Sequence, residues 1–440
     1  MCGFYGREVG VQSILAALQS LSALLADDFP ALPGTRILEV AFPLNDAFDP
    51  LAWLNGQAVW PQFYWQQRSG KEEIAALDTV CRFSSLAQAN DFLAALPRDD
   101  IRICGVNAFE PTRGALFLPR LEWRREAGRA TLRLNLWSET SLAQDAERAR
   151  ASLAALSAHH ASAKLTLHQE SETHRPGKEG WCRLIQQATQ AIRDGEFTKV
   201  VLARATDLTF SRAPDAGALM AASRRVNFSC YHFYMAFDAR RAFLGSSPER
   251  LWRRRGVQLL TEALAGTVAA HDDPAIAQRL GDWLMHDDKN QRENGLVVDD
   301  ICQRLRDVTQ TLDVLPAEIV RLRKVQHLRR RIQAQLTAPD DTLCLLQLQP
   351  TAAVAGLPRA AALAFIDRFE PFTREEYAGS AGYLSRRQSE FCVTLRSAKV
   401  EDNTVRLYAG AGIVDGSDPE QEWQEIENKA AGLRSLLFSE

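Results

Sequence analysis

Between residues 197 and 269 the chain writes strand after strand: FTKVVLARAT, YHFYMAFD, RAFLGSS, ERLWRRRG and VQLLTEALAGTVA. Helical patterns sit in separate runs around this block, at 179–194, 215–226, about 274–308 and 315–337. Strands and helices segregated in this way predict an α+β (layered α/β) architecture with antiparallel pairing. The N-terminal half opens with an amphipathic helix at 11–25, with Val11, Ile14, Leu15, Leu18 and Leu25 on one stripe. Mixed strands and loops follow, including TRILEVAFPL (35–44) and the Trp-rich AVWPQFYWQQ (58–67). ATLRLNLW (130–137) alternates as a half-buried strand, 138–161 reads as helix, and AKLTLHQ (163–169) as a short strand. The polar, turn-rich ESETHRPGKEG (170–180) marks a seam between halves 1–170 and 171–440, too short to separate independent domains.

Charge and cysteines narrow the function class. A net charge of −3 argues against a general nucleic-acid binder. The densest basic run, RLRKVQHLRRRI at 321–332, interleaves Val325 and Leu328 at helical spacing and reads as a solvated helix face. Eight cysteines stand singly at 2, 81, 104, 182, 230, 302, 344 and 392, a pattern for neither zinc nor a disulfide framework, and one that suits a reducing cytoplasm. The N-terminus does not read as a signal peptide, and no run of about 18 apolar residues predicts a membrane span. No Walker A loop, HExxH helix or GxSxG elbow occurs; GAGIVDG (410–416) lacks dinucleotide spacing.

What remains is a lysine and a set of carboxylates. Lys199 stands inside an apolar strand, sharing a face with Val201 and Ala203. It is either an edge-strand lysine with its ammonium in water, or an ammonium held in a pocket where desolvation makes it usable as a base. Glu249 follows Pro248 in GSSPERL, presented by a stiff turn. Glu293 lies at the margin of the apolar face of QRENGLVVDDI. In GSDPEQEWQEIENKA a helix starts either from a Ser417–Glu420 capping box or with Asp418 as cap and Pro419 at its first position. Glu422, Glu425 and Lys429 then share a face, where paired carboxylates suit either a helix dipole or a hard cation such as Mg²⁺.

The stretches KVVLAR, GSSPERL, TEALAGT, QRENGLVVDDI, EPFTREEYAGSAGY, VTLRSAKV and YAGAGIVDGSDPEQEWQEIENKA occur in this order. Together they closely resemble the chorismate-utilising enzymes: anthranilate synthase component I, aminodeoxychorismate synthase, isochorismate synthase and salicylate synthase. The resemblance implies the anthranilate synthase component I-like fold, with large mixed or antiparallel sheets as a sandwich core and helices outside, and puts chorismate binding in 171–440. Ammonia-using members carry glutamine where this chain has Lys199; water, unlike ammonia, needs a base before it attacks. The nucleophilic lysine of the aminodeoxychorismate branch is replaced by Ala265. The family's LHPTPA stands here as LQPTAA, with Gln349 for histidine, which looks like the isochorismate synthases of menaquinone biosynthesis and leaves the role of Gln349 open.

The resemblance implies Mg²⁺-dependent conversion of chorismate to isochorismate. Lys199 would be the base for water attack at C2, with Arg204 or Arg250 as neighbouring positive charge, and Glu249 the acid for the departing C4 hydroxyl. Glu293 and Glu425 would hold Mg²⁺ directly and Glu422 through water. Arg396, the Gly410 backbone and Lys429 would grip a substrate carboxylate, and Leu264, Ala265, Gly266 and Thr267 would wall the pocket. No glutamine amidotransferase subunit is expected, and the chain is expected to be a monomer or homodimer. A salicylate synthase would use the same residues and also eliminate pyruvate; a catalytically silent chorismate-binding regulator is the non-enzyme alternative.

Overall fold

The computed structural model describes residues 2–44, 48–158 and 167–438, and only the backbone of residues 2–11. Among the described residues twenty strands join into one hydrogen-bonded system in which every pairing is antiparallel. One arm runs from Gln169–Arg175 through Lys199–Phe210, Thr404–Ile413, Ser397–Glu401, Arg241–Ser247, Tyr231–Ala236, Gln62–Gln66 and Glu73–Phe83 to the long strand Gly114–Glu126. A second arm leaves that strand through Ile103–Asn107, Ser380–Leu384, Gln388–Val393, Arg250–Arg255 and Gln258–Ala269 to Val325–Leu336.

The two arms close on a shared apolar core. Phe63, Trp65, Phe233, Phe243 and Tyr408 of the first pack in one cluster with Trp252, Ala263, Ile332, Tyr383 and Phe391 of the second. Helices Pro50–Asn55, Leu142–Ala154 and Ala216–Val226 cover the first arm's other face, burying Leu51, Ala146 and Leu219 against Tyr64, Leu77 and Leu208. Helices Lys178–Arg193, Arg359–Phe369 and Pro419–Arg434 bury Trp181, Phe365 and Ile426 against Val200, Leu202 and Ile413. Strand alternation then puts Lys199 on the opposite face, the one that Ala203 brings into the core between the arms.

Four local expectations change. The basic segment expected as a helix over 315–337 is two strands, Glu318–Arg321 and Val325–Leu336, paired to each other. Gln326, Leu328, Ile332, Ala334 and Leu336 are buried, a period of two that the intervening arginines mask. In the first helix the buried stripe is Ile14, Leu18, Leu21 and Leu25, with Leu15 exposed. ATLRLNLW is buried on both faces: Leu132, Leu134 and Leu136 enter the core, while Asn135 and Arg133 are covered through polar partners, Arg133 by Glu39 and Asp100. The polar interval after 168 begins with a strand, Gln169–Arg175, not a turn; the strand expected at 163–169 falls largely outside the described residues. No helix among the described residues is long and apolar enough to cross a membrane.

Candidate active site

Lys199 opens an interior strand flanked by Thr404–Ile413, Gln169–Arg175 and Gly356–Leu357, so it is not an edge lysine. It is 5% exposed. Its Nζ lies 3.0 Å from Glu293 Oε1, on the helix Asp288–Leu305. Neither arginine expected beside it is there. Arg204, on the other strand face, pairs with Glu427 and covers the Trp423 ring; Arg250 turns to Glu390 at 3.0 Å. Lys199 is surrounded by protein, ion-paired to Glu293 and within electrostatic reach of Glu249.

Glu249 sits in the irregular turn between Arg241–Ser247 and Arg250–Arg255 and is fully covered by protein. Burial pushes its carboxyl up to about 8, with repulsion from Glu262 adding to the effect and Lys199 and Arg68 opposing it. A carboxyl that keeps its proton near neutrality, close to a buried lysine, suits the acid half of acid–base catalysis.

The wall next to them is built by a bulge. In the strand Gln258–Ala269 the register against Val325–Leu336 slips between Leu264 and Thr267, leaving Ala265 and Gly266 unpaired in the ladder. Gly266 holds φ +89°, and a Cβ there would lie 3.2 Å from Asn290. Thr267 resumes the ladder opposite His327, whose Nδ1 is 2.9 Å from Thr267 Oγ1. His327 Nε2 faces Arg396 Nη2 at 3.3 Å. Because a guanidinium only donates, Nε2 accepts and the imidazole proton lies on Nδ1. Burial, with Arg396 and Lys429, holds His327 down to about 3, so the ring is neutral. Arg396 adopts a left-handed φ of +47° and has no carboxylate ion-paired to it among the described residues. Burial pulls its guanidinium below the usual value. A half-buried cation with no carboxylate ion-paired to it among the described residues is suited to an anionic ligand.

Gly410 lies on the strand Thr404–Ile413, and its carbonyl accepts a hydrogen bond from Lys429 Nζ at 2.8 Å. A Cβ on Gly410 would sit 2.8 Å from the Tyr377 hydroxyl, so glycine is demanded here by packing within the protein. Asp418 caps the helix Pro419–Arg434 with Pro419 at its start, which decides between the two expected caps. Lys429 Nζ also holds Glu425 Oε1 at 2.7 Å. Burial, with Glu425 nearby, raises the Glu422 carboxyl against the pull of Ser417, Lys429 and Lys289. The three glutamates expected to hold a metal are not gathered as a ligand set: among the described residues no three His, Cys, Asp or Glu groups converge on one point. Glu293 is held by Lys199 and Glu425 by Lys429.

Gln349 is a tie. It is buried, and its Nε2 donates to the Ala108 carbonyl at 2.6 Å, anchoring the loop after Ile103–Asn107. His327 and Tyr377 escaped the sequence reading. The signal for His327 was its position opposite Thr267, visible only once its segment is a strand.

With the geometry in place, the relatives are informative. The model of the family described as chorismate binding enzyme matches residues 106–438. The chain belongs to this family. It is 62% identical to isochorismate synthase MenF of Escherichia coli K12 over 431 residues, 98% of this chain and all of that protein. The solved structure of that menaquinone-specific isochorismate synthase superposes with a TM-score of 0.95 at 63% identity, covering 97% of this chain and 100% of that one. Anthranilate synthase component I from Streptococcus pneumoniae, at 19% identity and a TM-score of 0.63 over 92% of this chain and 93% of its own, shares the fold.

Proposed function

We propose that this chain converts chorismate to isochorismate in menaquinone biosynthesis. The observation that carries the mechanism is the pairing of a buried lysine, Lys199, with a carboxyl held up to about 8, Glu249. Lys199 acts as the free amine: it gives its own proton to solvent, lets go of Glu293 and then takes a proton from water; the water oxygen bonds to C2, the ring double bonds shift, and the C4–O bond breaks. Glu249 gives its proton to the departing hydroxyl, so one water enters and one leaves. Such proton transfers supply about 10²–10⁴-fold each. Arg396, half-buried and without a carboxylate partner among the described residues, binds a substrate carboxylate through its planar fork, helped by the Gly410 backbone and by Lys429 through water. Leu264, Ala265, Gly266 and Thr267 line the ring.

Mg²⁺ suits the donor set by its chemistry. Glu293, Glu422 and Glu425 offer hard carboxylate oxygens, and the Glu422 carboxyl, raised by burial and then by Glu425, is one that a cation would help to ionise. Glu293 and Glu425 would hold the ion and Glu422 would act through water. The chemistry that Mg²⁺ would supply there is charge neutralisation of the ring carboxylate and withdrawal of charge from the diene. Water as nucleophile makes an amidotransferase subunit unnecessary, and the cysteines, unpaired among the described residues, fit a cytoplasmic protein. The test is purified protein with chorismate and Mg²⁺, products separated by chromatography. Isochorismate without pyruvate supports the reading; pyruvate would turn it toward a salicylate synthase, and binding without turnover toward a silent regulator.

A further inference from the structure

Arg68 directly follows the Trp-rich stretch of the N-terminal half, far in sequence from the stretches shared with the chorismate-utilising enzymes, yet its guanidinium reaches the turn that carries Glu249. Arg68 Nη1 donates to the Pro248 carbonyl at 2.9 Å, and Nη1 and Nη2 bind the two Glu262 carboxylate oxygens at 2.5 and 2.7 Å. Glu262 in turn accepts the Arg250 backbone N–H at 2.9 Å. The residue before Glu249 and the residue after it are therefore held by the two halves of one ion pair. The side chains are 13% and 0% exposed, so water does little to screen them.

The same two charges act on the Glu249 carboxyl through space, Glu262 raising its proton affinity and Arg68 lowering it, with Lys199 on the Arg68 side of the balance. The other charged groups packed around the turn are partnered: Arg250 lies on Glu390, which also accepts the Tyr231 hydroxyl, and Arg329 stands 3.8 Å from Glu262. We infer that Arg68 and Glu262 are positioning residues: they fix the Glu249 turn and set, in opposite senses, the pH at which Glu249 gives up its proton. The inference rests on Glu249 being the acid only for its catalytic consequence.

A purely structural ion pair and an electrostatic one make different predictions. Infrared titration of the purified enzyme follows the carboxylic-acid C=O band of Glu249, assigned by its absence in Glu249→Gln. Arg68→Met should move the titration midpoint up and Glu262→Gln should move it down, by about half a pH unit or more each. Arg68→Met strands a buried carboxylate and is the variant at risk of misfolding. The double variant removes both charges, and its midpoint should fall by less than that of Glu262→Gln alone, because Glu262 is the stronger influence of the two. Midpoints that stay put, or that move the same way in both single variants, would overturn the inference. Near-native turnover by Glu249→Gln would instead sink the acid role and leave the infrared result standing.

Discussion

Replacing Glu249 by glutamine should give an enzyme that is slower and more stable, with a stability gain that grows with pH. Burial lifts the carboxyl from an ordinary 4.5 to about 8. Between those values the folded chain keeps a proton that the unfolded chain releases, so this group makes stability fall by about 1.36 kcal/mol per pH unit. Its contribution is complete below the unfolded value and gone once pH has risen through the folded one. Glutamine has no such dependence. From about pH 5 to about pH 7.5 the wild-type chain should lose at most about 3 kcal/mol relative to Glu249→Gln. For a chain of this size that is a few degrees in Tm. Thermal unfolding of both proteins across that pH range measures it, alongside turnover, which should drop about 10²-fold or more. A Tm difference that stays flat with pH, or narrows as pH rises, would show that Glu249 is already ionised in the fold, and the acid assignment would fall with it.

Lys199→Gln should lower the hydration rate by about two orders of magnitude while the chain still folds; a near-native rate would make Lys199 a structural cation only. EDTA should abolish turnover and Mg²⁺ restore it, and Glu425→Gln should stay inactive at any Mg²⁺ concentration; full activity of that variant in metal-free buffer would remove Mg²⁺ from the account. Leu264→Ala should open the wall beside the bulge and admit ammonia, giving an amino product by mass spectrometry in ammonium buffer, whereas an unchanged product spectrum with hydration intact would count against Leu264 as part of the pocket.

The residues legible in the sequence were those whose chemistry contradicts their surroundings. Lys199 is a cation in an apolar strand, and Glu249 follows a proline that stiffens its turn; both read as anomalies before any coordinates. The Gln258–Ala269 bulge was missed: VQLLTEALAGTVA reads as one strand, although a glycine inside a strand, here Gly266, is the residue that marks such a break. His327 was hidden because Arg329, Arg330 and Arg331 swamp the period of two, while Val325, Leu328 and Ile332 mimic helical spacing. Arg68 was hidden for a different reason. Its meaning comes from Glu262, 194 residues away, and no local pattern records a pairing of that range. The ion pairs that occupy Glu293 and Glu425 were equally out of reach, since Lys199 meets Glu293 across 94 residues.

The central claim is that water, deprotonated by Lys199, becomes the new hydroxyl at C2. Chorismate turned over in ¹⁸O-labelled water with Mg²⁺ tests it most directly, by mass spectrometry of the isochorismate formed. The account predicts one ¹⁸O per product molecule, placed at C2, and loss of that labelled product in Lys199→Gln. Unlabelled isochorismate would mean that the C4 hydroxyl migrates within the substrate, and would contradict the account.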